Sequence, residues 1–354
     1  MEITSRFLRA ANRLPVDATP VWFMRQAGRY MPEYRAIREK YSLLEICYLP
    51  ELAAEVTLQP VRALGVDAAI LFADILLPAI PLGVGLEFAK GEGPILKNPV
   101  RTLADVHNLK PVDPETDLGY VMAALKILRG ELKDTPLIGF CGAPFTVASY
   151  IVEGGASREF LKTKTMMYSD PQTWHALMDK LSTVLTDYLL AQIRAGAQAV
   201  QVFDSWVGAL GPADYVEFVQ PYSCRILQAA QKTGVPVIHF GTGATTLLPA
   251  MKAAGGTVLG LDWRLPLDDG WDLLGPNVAI QGNLDPTILF APLPEIKKRV
   301  DDILQRAAGR PGHIFNLGHG ILQNTPVDTV KAVVDMVHEY QGNKETRKQV
   351  ELNG

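Results

Sequence analysis

Asp67-Ala68-Ala69-Ile70-Leu71-Phe72 is a continuous apolar run of strand length, and it ends in Ala73-Asp74-Ile75. A strand without polar alternation is buried on both faces, as in a parallel sheet covered by helices. The segment before it has helix signals, with Pro50 at its first turn and Gly65 at its stop. Moving outward, the same order recurs: helix, glycine, apolar strand, polar tail. Upstream, Val21-Trp22-Phe23-Met24 runs into Arg25. Downstream, Thr135 to Gly142 ends in glycine, and Ala199-Val200-Gln201-Val202-Phe203 runs into Asp204-Ser205. Gly234 to Phe240 leads to Gly241-Thr242-Gly243, and Thr257 to Leu261 leads to Asp262-Trp263. Asn277 to Gln281 meets Gly282-Asn283-Leu284-Asp285-Pro286, and His313 to Leu317 meets Gly318-His319-Gly320. Eight such strands, each followed by a helix, predict an α/β fold: one closed (β/α)8 barrel of the TIM type. A doubly wound open sheet stands second, since its G-x-G-x-x-G after the first strand is missing. Between Pro81 and Lys97 the alternation of Val84, Leu86 and Phe88 predicts a short hairpin insertion after the second strand, turning at Gly91-Glu92-Gly93. The expected organisation is a single barrel domain over residues 1–340, with a charged, frayed tail over 341–354.

Composition narrows the class of function. Hydrophobic residues make up 48% of the 354 and charged residues 20%, values of a folded globular chain with no room for a long disordered stretch. No apolar run reaches the ~18 residues needed to span a bilayer, and Met1-Glu2-Ile3-Thr4-Ser5-Arg6 has no leader character, so a cytoplasmic location without membrane association is expected. A net charge of −4 argues against a nucleic-acid surface. Cys47, Cys141 and Cys224 are far apart and odd in number, giving neither a disulfide framework nor a zinc pattern.

In a barrel of this type the site lies at the carboxyl ends of the strands. That rule gathers Arg25, Arg29, Asp74, Tyr150, Ser205 and His319 around one mouth. Arg25 and Arg29 flank Gly28 on one loop, so two guanidinium forks point at one spot, which suits an anion. Ordinary surface ion pairs are the competing account of the two arginines. Residues 143–155 combine an apolar helix-like turn with a glycine loop and are the least regular part of the chain. His313 and His319 bracket a strand without a nearby cysteine, so no metal site is expected. Gly241-Thr242-Gly243 is only a faint phosphate cradle, and Asp204 and Asp285 read as structural, the latter in helix-start form before Pro286.

Six motifs, in order, resemble the uroporphyrinogen decarboxylase family: Met24-Arg25-Gln26-Ala27-Gly28-Arg29-Tyr30, Ala68 to Leu76, Gly142-Ala143-Pro144-Phe145-Thr146, Tyr150-Ile151-Val152-Glu153-Gly154-Gly155, Gln281 to Pro286 and Asn316-Leu317-Gly318-His319-Gly320. The likeness extends from about Arg6 to His338. It implies a cytoplasmic homodimer of single-domain barrels that converts uroporphyrinogen III to coproporphyrinogen III, releasing four acetate carboxyls as CO2 without a cofactor. It further implies substrate contacts at Arg25, Gln26, Ala27, Gly28, Arg29, Asp74, Tyr150, Ser205 and His319, with Asp74 and Arg25 catalytic. The chemistry is coherent. A macrocycle with carboxylates on its rim and four pyrrole N–H donors inside calls for cations at the edge and one acceptor in the centre. Protonating a ring carbon makes a cation that draws the electrons of the breaking C–C bond, and an ionised Asp74 beneath it stabilises that charge. The proton has two candidate sources, a protonated Asp74 and Arg25, although arginine titrates above about 12. Phe203 and the segment Tyr30 to Tyr34 are expected to wall the macrocycle. Two other readings compete: a zinc-dependent methyltransferase on the same scaffold, which needs a His/Cys cluster absent from these strand ends, and a catalytically silent tetrapyrrole carrier.

Overall fold

The computed structural model describes residues 4–89 and 93–340; the expected turn at Gly91-Glu92 and the tail over 341–354 lie outside them. Seven parallel strands form one sheet: β1 (Ala69–Ile70), β4 (Leu137–Gly142), β5 (Ala199–Asp204), β6 (Val237–Gly241), β7 (Val258–Gly260), β8 (Ala279–Gln281) and β9 (His313–Ile314), adjacent in that order. Every residue of β4, β6, β7 and β8 is buried, as apolar parallel strands require. The hairpin is present as antiparallel β2 (Leu86–Ala89) and β3 (Gly93–Leu96), with Leu86 opposite Leu96.

Helices return the chain between strands. Pro50–Leu64 stops at Gly65, whose φ of 72° is the left-handed position that ends a helix without Cβ strain. Asp170 caps Pro171–Arg194, its carboxylate accepting from the Thr173 amide at 3.2 Å. Trp174, Leu177, Met178, Leu181, Leu185 and Leu189 on that helix are fully buried at helical spacing. Residues 143–155, irregular by sequence, contain a ten-residue helix, Pro144–Glu153, which Gly154 terminates at a φ of 87°.

The expectation of a closed eight-stranded barrel is corrected. The sheet curves through 215° and its edges stay 13 Å apart, an open half-barrel of seven strands. Val21-Trp22-Phe23-Met24, counted as the first strand, forms only one parallel bridge, Val21 to Phe315. The reason lies in its hydrogen bonds. Side-chain oxygens take three of its four amides: Asp67 Oδ2 accepts from Val21 N at 2.7 Å, Gln26 Oε1 from Phe23 N at 3.1 Å and Asn316 Oδ1 from Met24 N at 3.1 Å, while Trp22 N alone reaches a strand carbonyl, that of Phe315, at 3.4 Å. Pro20 has no amide to give, although its carbonyl accepts from Phe315 N at 2.8 Å. On the other flank Asp67 N donates to the Val21 carbonyl at 2.8 Å. The segment thus bridges the gap between the two edges without joining the ladder.

Asp67 is also an electrostatic anchor. Its carboxylate meets Arg6 at 2.9 Å and His338 at 2.7 Å, which ties the first and last described helices to the start of β1. Across the concave interior, Trp22 Nε1 donates to Gln281 Oε1 at 3.0 Å and Gln281 Nε2 to Gln201 Oε1 at 3.1 Å. These polar atoms are satisfied although all three residues are buried.

Candidate active site

Each strand delivers its last residue or its tail to the same end of the half-barrel, and the loop after Met24 arrives there too. Gln26 shapes that loop. It is fully buried, accepts from the Phe23 amide and donates from Nε2 to the Ala68 carbonyl at 3.0 Å, locking the loop to the entry of β1. Its carbonyl accepts the Tyr30 hydroxyl at 2.7 Å. The Gln26 side chain is therefore a bracket, and only its backbone borders the mouth.

Arg25 is the loop's unusual residue. Its φ is 60°, a left-handed conformation that costs an L-residue roughly 1–2 kcal/mol. The bonds around Gln26 hold it there, and the side chain passes directly over Gly320, where an added Cβ would stand 2.6 Å from Arg25 Cγ. Gly320 is the platform that lets this guanidinium reach the mouth.

Asp74 lies opposite, just past β1. Its Oδ1 accepts the Leu76 amide at 2.8 Å, an Asx turn that fixes the carboxyl, and Leu77 N donates to its carbonyl at 3.3 Å. Burial pushes the carboxyl above the ordinary carboxylate range; the Leu76 amide and the Arg25 guanidinium oppose that shift. Tyr150, on the helix Pro144–Glu153, is pushed up to about 12 by burial and by Asp74, with Arg25 again opposing. His319 is held down at about 4, by desolvation first and then by Arg25, so its imidazole is neutral at neutral pH. One guanidinium thus acts electrostatically on a carboxyl, a phenol and an imidazole that come from three separate parts of the chain.

The other expected residues take different places. Arg29 is exposed on the same loop, with its carbonyl accepting from Arg35 at 3.1 Å, while Ala27 and Gly28 are half-buried backbone of the turn. Ser205 is half-buried just past β5. Phe203 is half-buried and stands edge-on to Phe140 at 5.5 Å. Tyr30 and Tyr34 are buried, and half-buried Phe72 packs on Tyr34 at 5.4 Å. Gly241-Thr242-Gly243 is no phosphate cradle, because the Gly243 amide already donates to Asp262. Asp285 caps the turn Pro286–Phe290, accepting from Thr287 N at 2.9 Å.

Two contributors carried no sequence signal. Trp206 stacks on Tyr150 with ring centroids 3.7 Å apart, a pairing across 56 positions that no local spacing reveals. Arg264 follows β7, pairs with Asp262 at 2.8 Å, lies 4.1 Å over the Trp263 ring and helps hold His319 neutral. Among the described residues no group of three His, Cys, Asp or Glu is placed to hold a metal ion, and burial pushes the Cys141 thiol up, away from the thiolate a metal would need.

This geometry can be set beside known proteins. The family model described as uroporphyrinogen decarboxylase matches residues 3–340. The uroporphyrinogen decarboxylase of Sorangium cellulosum is 61% identical over 334 residues, covering 94% of this chain and 95% of its own. That of Solibacter usitatus is 56% identical over 340 residues, covering 96% and 98%. Among solved structures, a methyltransferase from Methanosarcina mazei superposes with a TM-score of 0.80 at 20% identity, covering 96% of this chain and 98% of that one. At that identity the likeness is one of fold alone.

Proposed function

The chain belongs to the uroporphyrinogen decarboxylase family, and from that membership we propose how its own residues carry out the decarboxylation of uroporphyrinogen. The substrate is uroporphyrinogen III, which loses its four acetate carboxyls and becomes coproporphyrinogen III. The observation that carries the assignment is one half-buried carboxyl just past β1, Asp74, within electrostatic reach of the Arg25 guanidinium from the gap-bridging loop.

Asp74 Oδ1 is turned by the Leu76 amide, which leaves the carboxylate's remaining lone pairs for the pyrrole N–H donors at the macrocycle's centre. Arg25 and exposed Arg29 pair with rim carboxylates, and the neutral His319 offers one more N–H donor. A proton adds to the ring carbon beside the acetate-bearing carbon and makes a ring cation. The electrons of the bond to the carboxylate then flow into that cation, CO2 departs and an exocyclic methylene remains. Protonation of the methylene gives the methyl group, and loss of the added ring proton restores the pyrrole. Each cycle consumes one proton and releases one CO2. Asp74, ionised beneath the ring, is worth most when the cation exists, which is the condition for raising turnover and not merely affinity.

The test is an anaerobic assay with uroporphyrinogen III, followed by mass spectrometry through successive carboxyl losses. Asp74→Asn is expected to lower kcat by about 100- to 1,000-fold, the usual effect of deleting one preorganised electrostatic group. Arg25→Ala is expected to raise KM as well. Substrate binding without turnover by the well-folded native chain would favour the carrier reading, and an Asp74→Asn variant with native kcat would remove Asp74 from the chemistry.

A further inference from the structure

Asp204 closes β5 and has no part in the reaction as described. Its neighbours in the strand pattern, Phe203 and Ser205, are half-buried at the mouth, whereas Asp204 is fully buried on the other side of the sheet. There Thr146 Oγ1 donates to Asp204 Oδ1 at 2.9 Å, and the same hydroxyl oxygen accepts the Trp206 amide at 3.3 Å. Trp206 in turn stacks on Tyr150, with rings 28° from parallel, and Phe160 meets the Trp206 ring edge-on at 5.0 Å. A chain of direct contacts therefore runs from a buried carboxyl through a hydroxyl and an amide to the ring that borders Asp74. Thr146 and Tyr150 share the helix Pro144–Glu153 and are four residues apart, so a shift at one moves the other.

We propose that Asp204 is a positioning residue of this site: through Thr146 it sets the Ser205-Trp206 turn and the aromatic platform that orients Tyr150 toward the substrate. The proposal rests on the functional reading above for the substrate, with Tyr150 taken as one of its contacts, as the family resemblance implies. Its buried setting favours the neutral form of the Asp204 carboxyl. Its Oδ2 is buried without a hydrogen-bond partner, and an ionised oxygen in that position would be desolvated with nothing to balance it. Burial accordingly pushes this carboxyl up to about 7, with the Thr146 bond pulling the other way. An amide of the same shape keeps the acceptor for Thr146, so asparagine is the conservative replacement.

The experiment measures kcat and KM for uroporphyrinogen III in Asp204→Ala, Asp204→Asn, Thr146→Val and Thr146→Ser, alone and combined with Tyr150→Phe. Near-UV circular dichroism reports the Trp206 and Tyr150 rings, with Trp206→Phe as the reference. Asp204→Ala and Thr146→Val are expected to raise KM about tenfold and to change the aromatic signal. Asp204→Asn and Thr146→Ser should restore most of both. Each damaging change should also be less than additive with Tyr150→Phe. A merely structural carboxyl would lower the melting temperature while leaving KM, per folded molecule, native and additive; that result overturns the proposal. So does an Asp204→Asn variant as impaired as Asp204→Ala. Should Asp204→Ala not fold, the Thr146 pair decides by the same criteria. The dichroism needs no turnover, so an altered aromatic signal in a protein that does not turn over uroporphyrinogen would defeat the functional reading and leave the positioning chain standing.

Discussion

Arg25 owes its reach to a residue with no side chain. Because Gly320 lies under its aliphatic stem, Gly320→Ala would place a methyl where Cγ and Cδ now run. Gly320 is not among the glycines with positive φ, so the substitution adds no backbone strain and acts through displacement alone. A drop of about 10- to 100-fold in kcat/KM is expected, from a cation moved off its rim carboxylate, with the melting temperature within a few degrees of native. Steady-state kinetics beside a thermal melt checks both halves. At this scale the sequence was informative wherever chemistry ends a strand. Asp74, Arg25 and His319 stand out because a polar residue follows an apolar run, and the Arg25 guanidinium acts electrostatically on each of the other two. Gln26 was less legible: its neighbours form a polar loop, while its partners, Phe23 and the distant Ala68, turn its side chain inward.

Among the elements, the one misjudged is the one that bears Arg25. Val21 to Met24 has the apolar content of a strand, and nothing in its periodicity indicates that Asp67, Gln26 and Asn316 side chains will occupy its amides. Side-chain substitution for a ladder is a tertiary arrangement and leaves no local trace. The helix Pro144–Glu153 was hidden for the opposite reason: eight of its ten residues are buried, so it has no polar face to set a period. By contrast, Pro50–Leu64 and Pro171–Arg194 were readable to within a residue or two from a proline start, a glycine stop and one apolar stripe. The bracket can be tested directly. Gln26→Ala strands the Phe23 amide and the Ala68 carbonyl in a buried site, and at about 1–3 kcal/mol for each unsatisfied group the fold should lose roughly 2–6 kcal/mol. Urea denaturation measures it, with a lower midpoint expected at an unchanged slope.

For the whole molecule, acid sensitivity is set by buried groups that titrate in opposite directions. His239 and His313 are pushed from 6.5 down to about 4 by burial, so between those values the unfolded chain takes protons that the folded one refuses. Stability therefore falls as pH drops from about 6.5 to 4, by roughly 3 kcal/mol for each histidine. Asp204, raised from 3.8 to about 7, binds its proton in the folded state over nearly the same window, so its contribution is lost as pH rises through it. The histidines outnumber it, and the melting temperature is expected to climb from pH 4 to 6.5. In Asp204→Asn the opposing carboxyl is gone and the climb should be steeper, which calorimetry across that range can read. The open sheet adds a different consequence. Its edges stand 13 Å apart and are spanned by the stretch that presents Arg25, so that guanidinium rides on the least laddered part of the wall. The bonds that hold this stretch, from Pro20 and Trp22 to Phe315 and from Gln26 to Ala68, are separate from those that pair the seven strands. Activity followed on heating is therefore expected to fall before the far-UV circular dichroism of the sheet does.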